Sequence, residues 1–512
     1  MKYSVLFLKI LPWLLVSILV SISVSIAWTL IDFEQQVCAR EGTILVVAHN
    51  WAQGKSPYNP DTLPENLWVY GPAHPWIVKT IWGVDAKWSH IRMMNFCFLI
   101  VAATGLAWAL SRNKVRCQYY ILLPALALSA WLVSTSMTAY CDAGGLACFV
   151  WALALSQHGA SWKSKLIACM LVLIGTLFKP YFLWAGPLIS ISIFCYENIK
   201  SAAKWTIIWA AFTATGVALF QINNPTFFNL TIQLHKDWAT SYFTFLRDQT
   251  LAWSLRNTGT LVLVLIAISA FVLNRNYKII KNWMADATTM QFLATVIILS
   301  GKLGWHGGAF LIYYLHLLTP VSLIWLGTRI DTGIYYNFKQ IAIILNALAL
   351  ILYLPRPADD FGSFDPRLKE FLSKHHGSLA IPEMIPFADE YELIIPDNGQ
   401  SEYLFNTNIA IQHRDYASEM KSAGKTWRKW RQYNWFTTVQ NNIRSKKYPA
   451  IIISSVSYDL LPWMYWLPDI EKYYDQTLVI PMDYYMAEWN APHHFGNQHE
   501  LYFYIYVPKT DK

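Results

Sequence analysis

FLKILPWLLVSILVSISVSIAWTLI, residues 7–31, carries one charge, Lys9, near its start. About 20 apolar residues of helix cross the hydrocarbon core of a bilayer, so this run is long enough to span one. Ser25-x-Ala27 resembles a weak signal-cleavage site. The run nevertheless exceeds the roughly 7–15 residues of a signal-peptide core, so it reads as a retained first transmembrane helix. The composition agrees. Of 512 residues, 55% are hydrophobic and only 14% are charged, against about 25% charged in soluble domains. A soluble globular protein is excluded on that ground, and 25 Trp and 29 Tyr suit a chain with many bilayer interfaces.

Further apolar runs are centred on 91–110, 118–136, 139–156, 166–178, 181–196, 205–222, 258–273, 287–303, 308–327 and 339–354. Together they predict about 11 transmembrane helices. Lys179-Pro180 divides the stretch 166–196 into pieces shorter than an ideal span, either two tilted spans or one span and a re-entrant piece. The basic residues Lys2, Lys9, Arg112, Lys114, Arg116, Lys163, Lys165, Lys200, Lys204, Arg275, Lys278, Lys281, Arg329 and Lys339 fall on one side when the spans alternate. That side is cytoplasmic by the positive-inside rule, so topology accounts for the net charge of +8 and no nucleic-acid partner is expected.

The opposite, extracytoplasmic side then receives a first loop at 32–90, a loop at 223–257 and everything after Pro355. The tail alternates short β-rich runs (SLAIPEM, YELIIPD, YPAIIISS, QTLVIPM, ELYFYIYVP) with helical stretches, chiefly 413–444. The expected fold is therefore a polytopic α-helical membrane domain, 1–355, followed by a soluble extracytoplasmic α/β domain, 356–512. The seven Cys include no CxxC pair and stop at residue 195, so neither a disulfide framework nor a metal knuckle is read. The adjacent His493 and His494 lack further ligands at metal spacing. NLT at 229–231 fits a glycosylation pattern that recurs by chance. The basic-aromatic stretch 424–435 reads as a solvated helix face.

After the first run comes REGTILVVAHNWAQGKSPY, residues 40–58. Ile44, Val47, Ala48 and Trp51 recur at helical spacing, and Gly54 is placed to end the helix. The stretch 41–53 thus reads as a short amphipathic helix lying along the outer membrane surface. Glu41 opens it, where the helix dipole favours a carboxylate; the plain alternative is a cap. Asp32 and Glu34 are rival interfacial acids, while Asp61 and Glu65 read as solvated. Asp142 and Lys179 lie within apolar stretches, where a charge is expensive without a partner or a function. They either pair with each other or serve a site, and snorkelling to the headgroups is the bland account of Lys179.

Four segments in order resemble the GT-C glycosyltransferases, closest to the bacterial glycosyltransferase 39-like group, which is similar to dolichol-phosphate-mannose-protein mannosyltransferases. They are Glu41-Gly42 sixteen residues before Pro57-Tyr58, with YGPAHPWIV at 70–78; TAYCDAGGLACFVWALAL around Asp142; LFKPYFLWAGP around Lys179; and GKLGWHGGAFLIYYLHLLTP with Lys302, His306 and Tyr313. Tyr140 stands where Arg is usual in that group. The layout covers residues 1–355. The resemblance implies a multi-pass enzyme of the bacterial inner membrane. Its donor would be a polyprenyl-phosphate sugar, its acceptor a lipid, glycan or protein, and it leaves a divalent metal open. It implies Glu41 as base, with Asp32 and Glu34 as the rival acids by position, and Asp142 on the acceptor side. Lys179, Lys302, His306 and Arg92 would hold the donor phosphate, and Tyr58, Tyr70 and His74 would contact sugar. Aromatic anchoring at the interface is the plain reading of the tyrosines.

Two other classes compete. A transporter or flippase would use Asp142 and Lys179 to line a path, but no internal repeat is visible. A non-catalytic assembly subunit would need none of the named carboxylates.

Overall fold

The computed structural model describes residues 2–33, 41–59, 66, 68–112, 116–132, 137, 141–228, 230–231, 288, 290–295, 317, 319–324, 327, 334–352, 365–381, 384, 387–388, 390–396, 434–454, 463–482 and 501–510. Everything below concerns these. The expected span at 258–273 lies outside them, as do residues 296–303 and 308–316 of the expected spans at 287–303 and 308–327, most of the loop 223–257, the stretch 424–433 and the His pair at 493–494.

The chain opens with α1 (Lys2–Asp32), which is apolar on all sides, the pattern of a helix surrounded by lipid or protein. The first loop holds α2 (Glu41–Ala52) and α3 (Ala73–Trp82). There follow α4 (Trp88–Arg112), α5 (Tyr119–Leu132), α6 (Asp142–Leu155), α7 (Trp162–Phe178), α8 (Ala185–Tyr196), α9 (Ile199–Asn223) and α10 (Ile334–Leu352). Among the described residues three helices are long and apolar enough to cross a membrane, over Ile10–Asp32, Trp88–Arg112 and Ile199–Asn223. Shorter apolar helices stand between them. One apolar core runs through α1 and α4–α8, from Leu19 and Leu99 to Trp131, Phe149 and Ile189.

The break at Lys179-Pro180 has a local cause. A residue before proline is pushed out of the α region, and Lys179 is extended at φ −158°, ψ 130°. The chain turns through a 3-10 segment, Pro180–Trp184, and continues as α8. The end of α8 returns to the start of α7, where Lys165 pairs with Glu197. The stretch 166–196 is thus a helical hairpin that turns at Pro180. Its tight turn needs small residues opposite. A Cβ on Gly144 would lie 2.2 Å from the Phe178 ring, and one on Gly145 would lie 2.1 Å from the Phe182 ring.

The amphipathic expectation for 41–53 needs correction. Leu45 and Val46 are as buried as Ile44, Val47 and Ala48, so α2 is not a helix with one wet face along the membrane surface. It packs within the first loop's own apolar cluster, with Tyr58, Trp68, Tyr70 and Val78. Its end is as expected: Gly54 takes φ +90°, and the amide of Lys55 donates to the carbonyl of Asn50 at 2.9 Å.

The C-terminal region carries α11 (Pro366–Leu372), α12 (Asn434–Arg444) and α13 (Trp463–Tyr473). It also carries β1 (Leu379–Ala380), β2 (Ile451–Ser454), β3 (Tyr474–Met482) and β4 (Leu501–Pro508). The strands form one sheet in the order β1-β2-β4-β3, with β1 parallel to β2 and the other pairs antiparallel. Pro481 sits in β3, at the sheet's edge in this order, where a missing N–H is tolerated. Of the five β-rich runs expected, YELIIPD forms only a single bridge, Ile394 to Leu379. This region has its own core, in which Phe436 and Trp466 stack at 5.2 Å.

Candidate active site

The α7–α8 turn determines where its polar groups go. With its backbone extended, Lys179 leaves the helix, and its Nζ lies 3.1 Å from both Oδ1 and Oδ2 of Asp142. Asp142 is the first residue of α6, where the helix dipole favours a carboxylate. Tyr181, one residue past the proline, donates its hydroxyl to Oδ1 of the same carboxylate. The ammonium lies between two aromatic faces, 4.9 Å from the Tyr70 ring centre and 5.2 Å from that of Tyr181. Asp142 and Lys179 are 1% and 5% exposed, so the pair is closed to water and the charges compensate each other. Sequence alone left pairing and a site role as alternatives for these residues; the geometry brings the two together and does not use Lys179 for snorkelling.

The first loop is docked onto this pair. Tyr70 supplies one of the faces, and the phenol of Tyr58 donates to the Tyr70 carbonyl at 2.6 Å. Burial pushes the Tyr58 phenol well above its ordinary pKa, so it stays a donor. Trp68 Nε1 donates to the Gly71 carbonyl at 2.8 Å. The apolar cluster of α2, which begins at Glu41, includes Cys141 and Phe178, the immediate neighbours of Asp142 and Lys179. The loop is also clasped to the end of α9: Ser56 donates to Asn224 at 3.0 Å, and Thr226 donates to the Tyr58 carbonyl at 2.6 Å.

Several expected site residues are placed otherwise. Tyr58 and His74 are fully buried, so neither presents a face to a sugar in this conformation. Arg92, expected at a phosphate, is fully buried too, and its Nη1 donates to the carbonyls of Leu30 at 2.8 Å and Phe33 at 2.6 Å. It satisfies the unpaired carbonyls at the end of α1. Asp32 is exposed at the last position of α1. Lys302, His306, Tyr313, Glu34, Asp61, Glu65 and Tyr140 lie outside the described residues, as does the side chain of Glu41. Among the described residues no three His, Cys, Asp or Glu side chains gather as for a metal ion.

Sequence reasoning missed Tyr181, though Lys-Pro-Tyr held the signal: a proline turn brings the side chains on either side of it together. It also missed the pairing of His74 with Asn95, whose Oδ1 lies 3.1 Å from Nε2. Burial lowers His74 to a pKa of about 4, outweighing the opposing effects of Asn95 and Asp142. Among the described residues its Nδ1 has no hydrogen-bond partner. Below the unfolded pKa of about 6.5 the unfolded chain binds a proton that the folded chain refuses, so stability falls as pH drops from about 6.5 towards 4. The full shift amounts to ~3 kcal/mol. Thermal unfolding of purified protein at pH 7.5 and 5.0 should show a lower midpoint at pH 5.0, and His74→Asn should flatten that difference. An unchanged pH response in His74→Asn assigns the effect elsewhere.

No protein-family model matches the chain, and no curated protein matches it. Among solved structures it is similar to the archaeal oligosaccharyltransferase AglB from Archaeoglobus fulgidus, in complex with an inhibitory peptide and a dolichol-phosphate. The match covers 92% of this chain and 73% of that one, at 11% identity and a TM-score of 0.44. A likeness that distant carries no functional weight.

Proposed function

We propose that this chain is a membrane glycosyltransferase of the GT-C kind. It moves a sugar from a polyprenyl-phosphate carrier to a lipid, glycan or protein acceptor at the extracytoplasmic face. The observation that carries the reading is the Asp142–Lys179 pair, held at helix ends and covered by the first loop that begins α2 with Glu41. A lipid-linked phosphate lies at headgroup height, which is also where helix ends lie. In the reaction, Glu41 takes the proton of the acceptor hydroxyl, the acceptor oxygen bonds to the anomeric carbon, and the bond from that carbon to the phosphate oxygen breaks. The departing polyprenyl phosphate keeps the electron pair, and Lys179, with Lys302 or His306, stabilises its charge. Lys179 reaches the phosphate by exchanging its bond to Asp142, which is then free to orient the acceptor. Asp32 and Glu34 are the alternative bases.

A path for transport would draw on the same buried acid and base, but transporter sites usually lie near the bilayer midplane, and this pair sits where α6 begins and α7 ends.

The test compares envelope lipids and glycans from cells with wild-type protein and with Glu41→Gln, at matched expression and insertion. The expected result is loss of one sugar from an envelope lipid, polymer or protein, with accumulation of a polyprenyl-phosphate sugar. If Asp32→Asn or Glu34→Gln rather than Glu41→Gln gives that loss, the base is the residue whose change gives it. Unchanged profiles in Glu41→Gln, Asp32→Asn, Glu34→Gln and Asp142→Asn would rule out the transferase.

A further inference from the structure

The other end of α7 carries a second charged assembly, which the proposed transfer does not use. Lys165 pairs there with Glu197, and the Ser201 hydroxyl donates to the second carboxylate oxygen at 2.6 Å. Lys165 also lies 5.9 Å from the Trp205 ring centre. This contact ties the starts of α7 and α9 together. Arg112, at the end of α4, joins them by donating to the Gly159 carbonyl at 3.1 Å. The ordering of these helix ends brings a cationic surface with it. Lys163, Lys200 and Lys204 are exposed on the first turns of α7 and α9, and among the described residues none of them has an acidic partner. Glu197 is the one acid in the described segments around them, and Lys165 already compensates it.

Apolar side chains alternate with these ammonium groups. Trp162, Ile199 and Ile207 are 62%, 68% and 69% exposed. Lys163 lies 6.0 Å from the Trp162 ring centre, and Lys204 lies 5.9 Å from that of Trp205. A soluble anion has no use for the exposed tryptophan and isoleucines, and a zwitterionic lipid does not offset uncompensated positive charge. An amphiphile with a net negative head satisfies both features. Topology requires only that the lysines stay on one side of the membrane; it does not require an ion pair that brings two lysine-bearing helix starts together.

We infer that the joined starts of α7 and α9 form a binding site for an anionic phospholipid, with Lys163, Lys200 and Lys204 on the headgroup phosphate and Trp162, Ile199 and Ile207 against its acyl chains.

The test uses the purified full-length protein in neutral detergent and follows its thermal unfolding midpoint during titration with phosphatidylglycerol, phosphatidylcholine or inorganic phosphate. Phosphatidylglycerol should raise the midpoint saturably, and the other two should not. A lysine near an anionic lipid surface contributes roughly fivefold in affinity, so Lys163→Gln/Lys200→Gln/Lys204→Gln should raise the half-saturating lipid concentration by roughly a hundredfold. The triple Lys→Arg variant should retain the response, which separates lost charge from impaired folding. Lys55→Gln/Lys87→Gln, changed at exposed lysines of the first loop, should also retain it. Equal stabilisation by phosphatidylcholine or by inorganic phosphate would overturn the inference, as would wild-type titration of the triple Gln variant.

Discussion

Asp142→Leu and Lys179→Met should each destabilise the protein by about 3–5 kcal/mol, while the two together should cost less than either alone. Each single change leaves a charge that is 1% or 5% exposed without its counter-charge, and solvent cannot take the partner's place. Replacing both removes the two desolvation costs along with their attraction, so the combination is partly self-correcting. Tyr181 limits that recovery, because its hydroxyl then lacks the carboxylate to which it donates. The measurement is a double-mutant cycle on denaturant or thermal unfolding in detergent, and the coupling energy should be large and favourable to the native pair. Single variants that lose under about 1 kcal/mol would mean that the pair behaves like an exposed one. The cycle also separates stability from chemistry. If the proposed transfer is right, the double variant regains its fold and stays inactive, because Lys179 is then missing from the phosphate.

Gly71→Ala should undock the first loop. A Cβ at this position would lie 2.0 Å from the carbonyl oxygen of Leu177 and 2.5 Å from its carbonyl carbon. Both are backbone atoms of α7, fixed by the hairpin, so the loop rather than the helix has to move. Overpacking of a tight contact costs about 1–3 kcal/mol, and a backbone clash of this depth belongs at or beyond the upper end. Displacement of residue 71 carries Tyr70 off the Lys179 ammonium and lengthens the bond from Tyr58. The variant should show a lowered unfolding midpoint and faster proteolysis within 41–82 than elsewhere. Gly54→Ala is the comparison, since its Cβ would meet nothing within 4 Å and only the φ of +90° resists it. Its cost should stay near the 1–2 kcal/mol of a left-handed residue with a side chain. Equal behaviour of the two variants would show that close packing at Gly71 does not hold the loop.

The long apolar helices at 7–31 and 91–110 were legible because lipid demands runs of that length, and the structure gives helices able to cross a membrane over Ile10–Asp32 and Trp88–Arg112. Lys179-Pro180 was legible as a break, because proline acts on the residue before it whatever the surroundings. Its meaning as the turn of a hairpin was not, since that depends on Lys165 meeting Glu197, 32 residues apart in the chain. The burial of α2 was misread for a related reason. An apolar stripe at helical spacing shows which face is certain to be covered, but not that Leu45 and Val46, off that stripe, are buried as well. Arg92 carried no local sign that it would serve the carbonyls of Leu30 and Phe33, 62 and 59 residues earlier. Within the candidate site, the residues found from sequence were those whose charge is costly in an apolar stretch. Tyr181, neutral and at home near an interface, raised no such alarm.

Helix α7 is anchored at both ends by oppositely charged neighbours, Glu197 at Lys165 and Asp142 at Lys179. The two lysines are separated by about 20 Å of helix rise. With both ends fixed, α7 has no freedom to slide along its axis or turn about it by a residue, because either motion would separate at least one pair. The hairpin can therefore move only as one stiff piece, and any tilt of it carries the first loop along, because Tyr70 and Gly71 rest on the Lys179 end of α7.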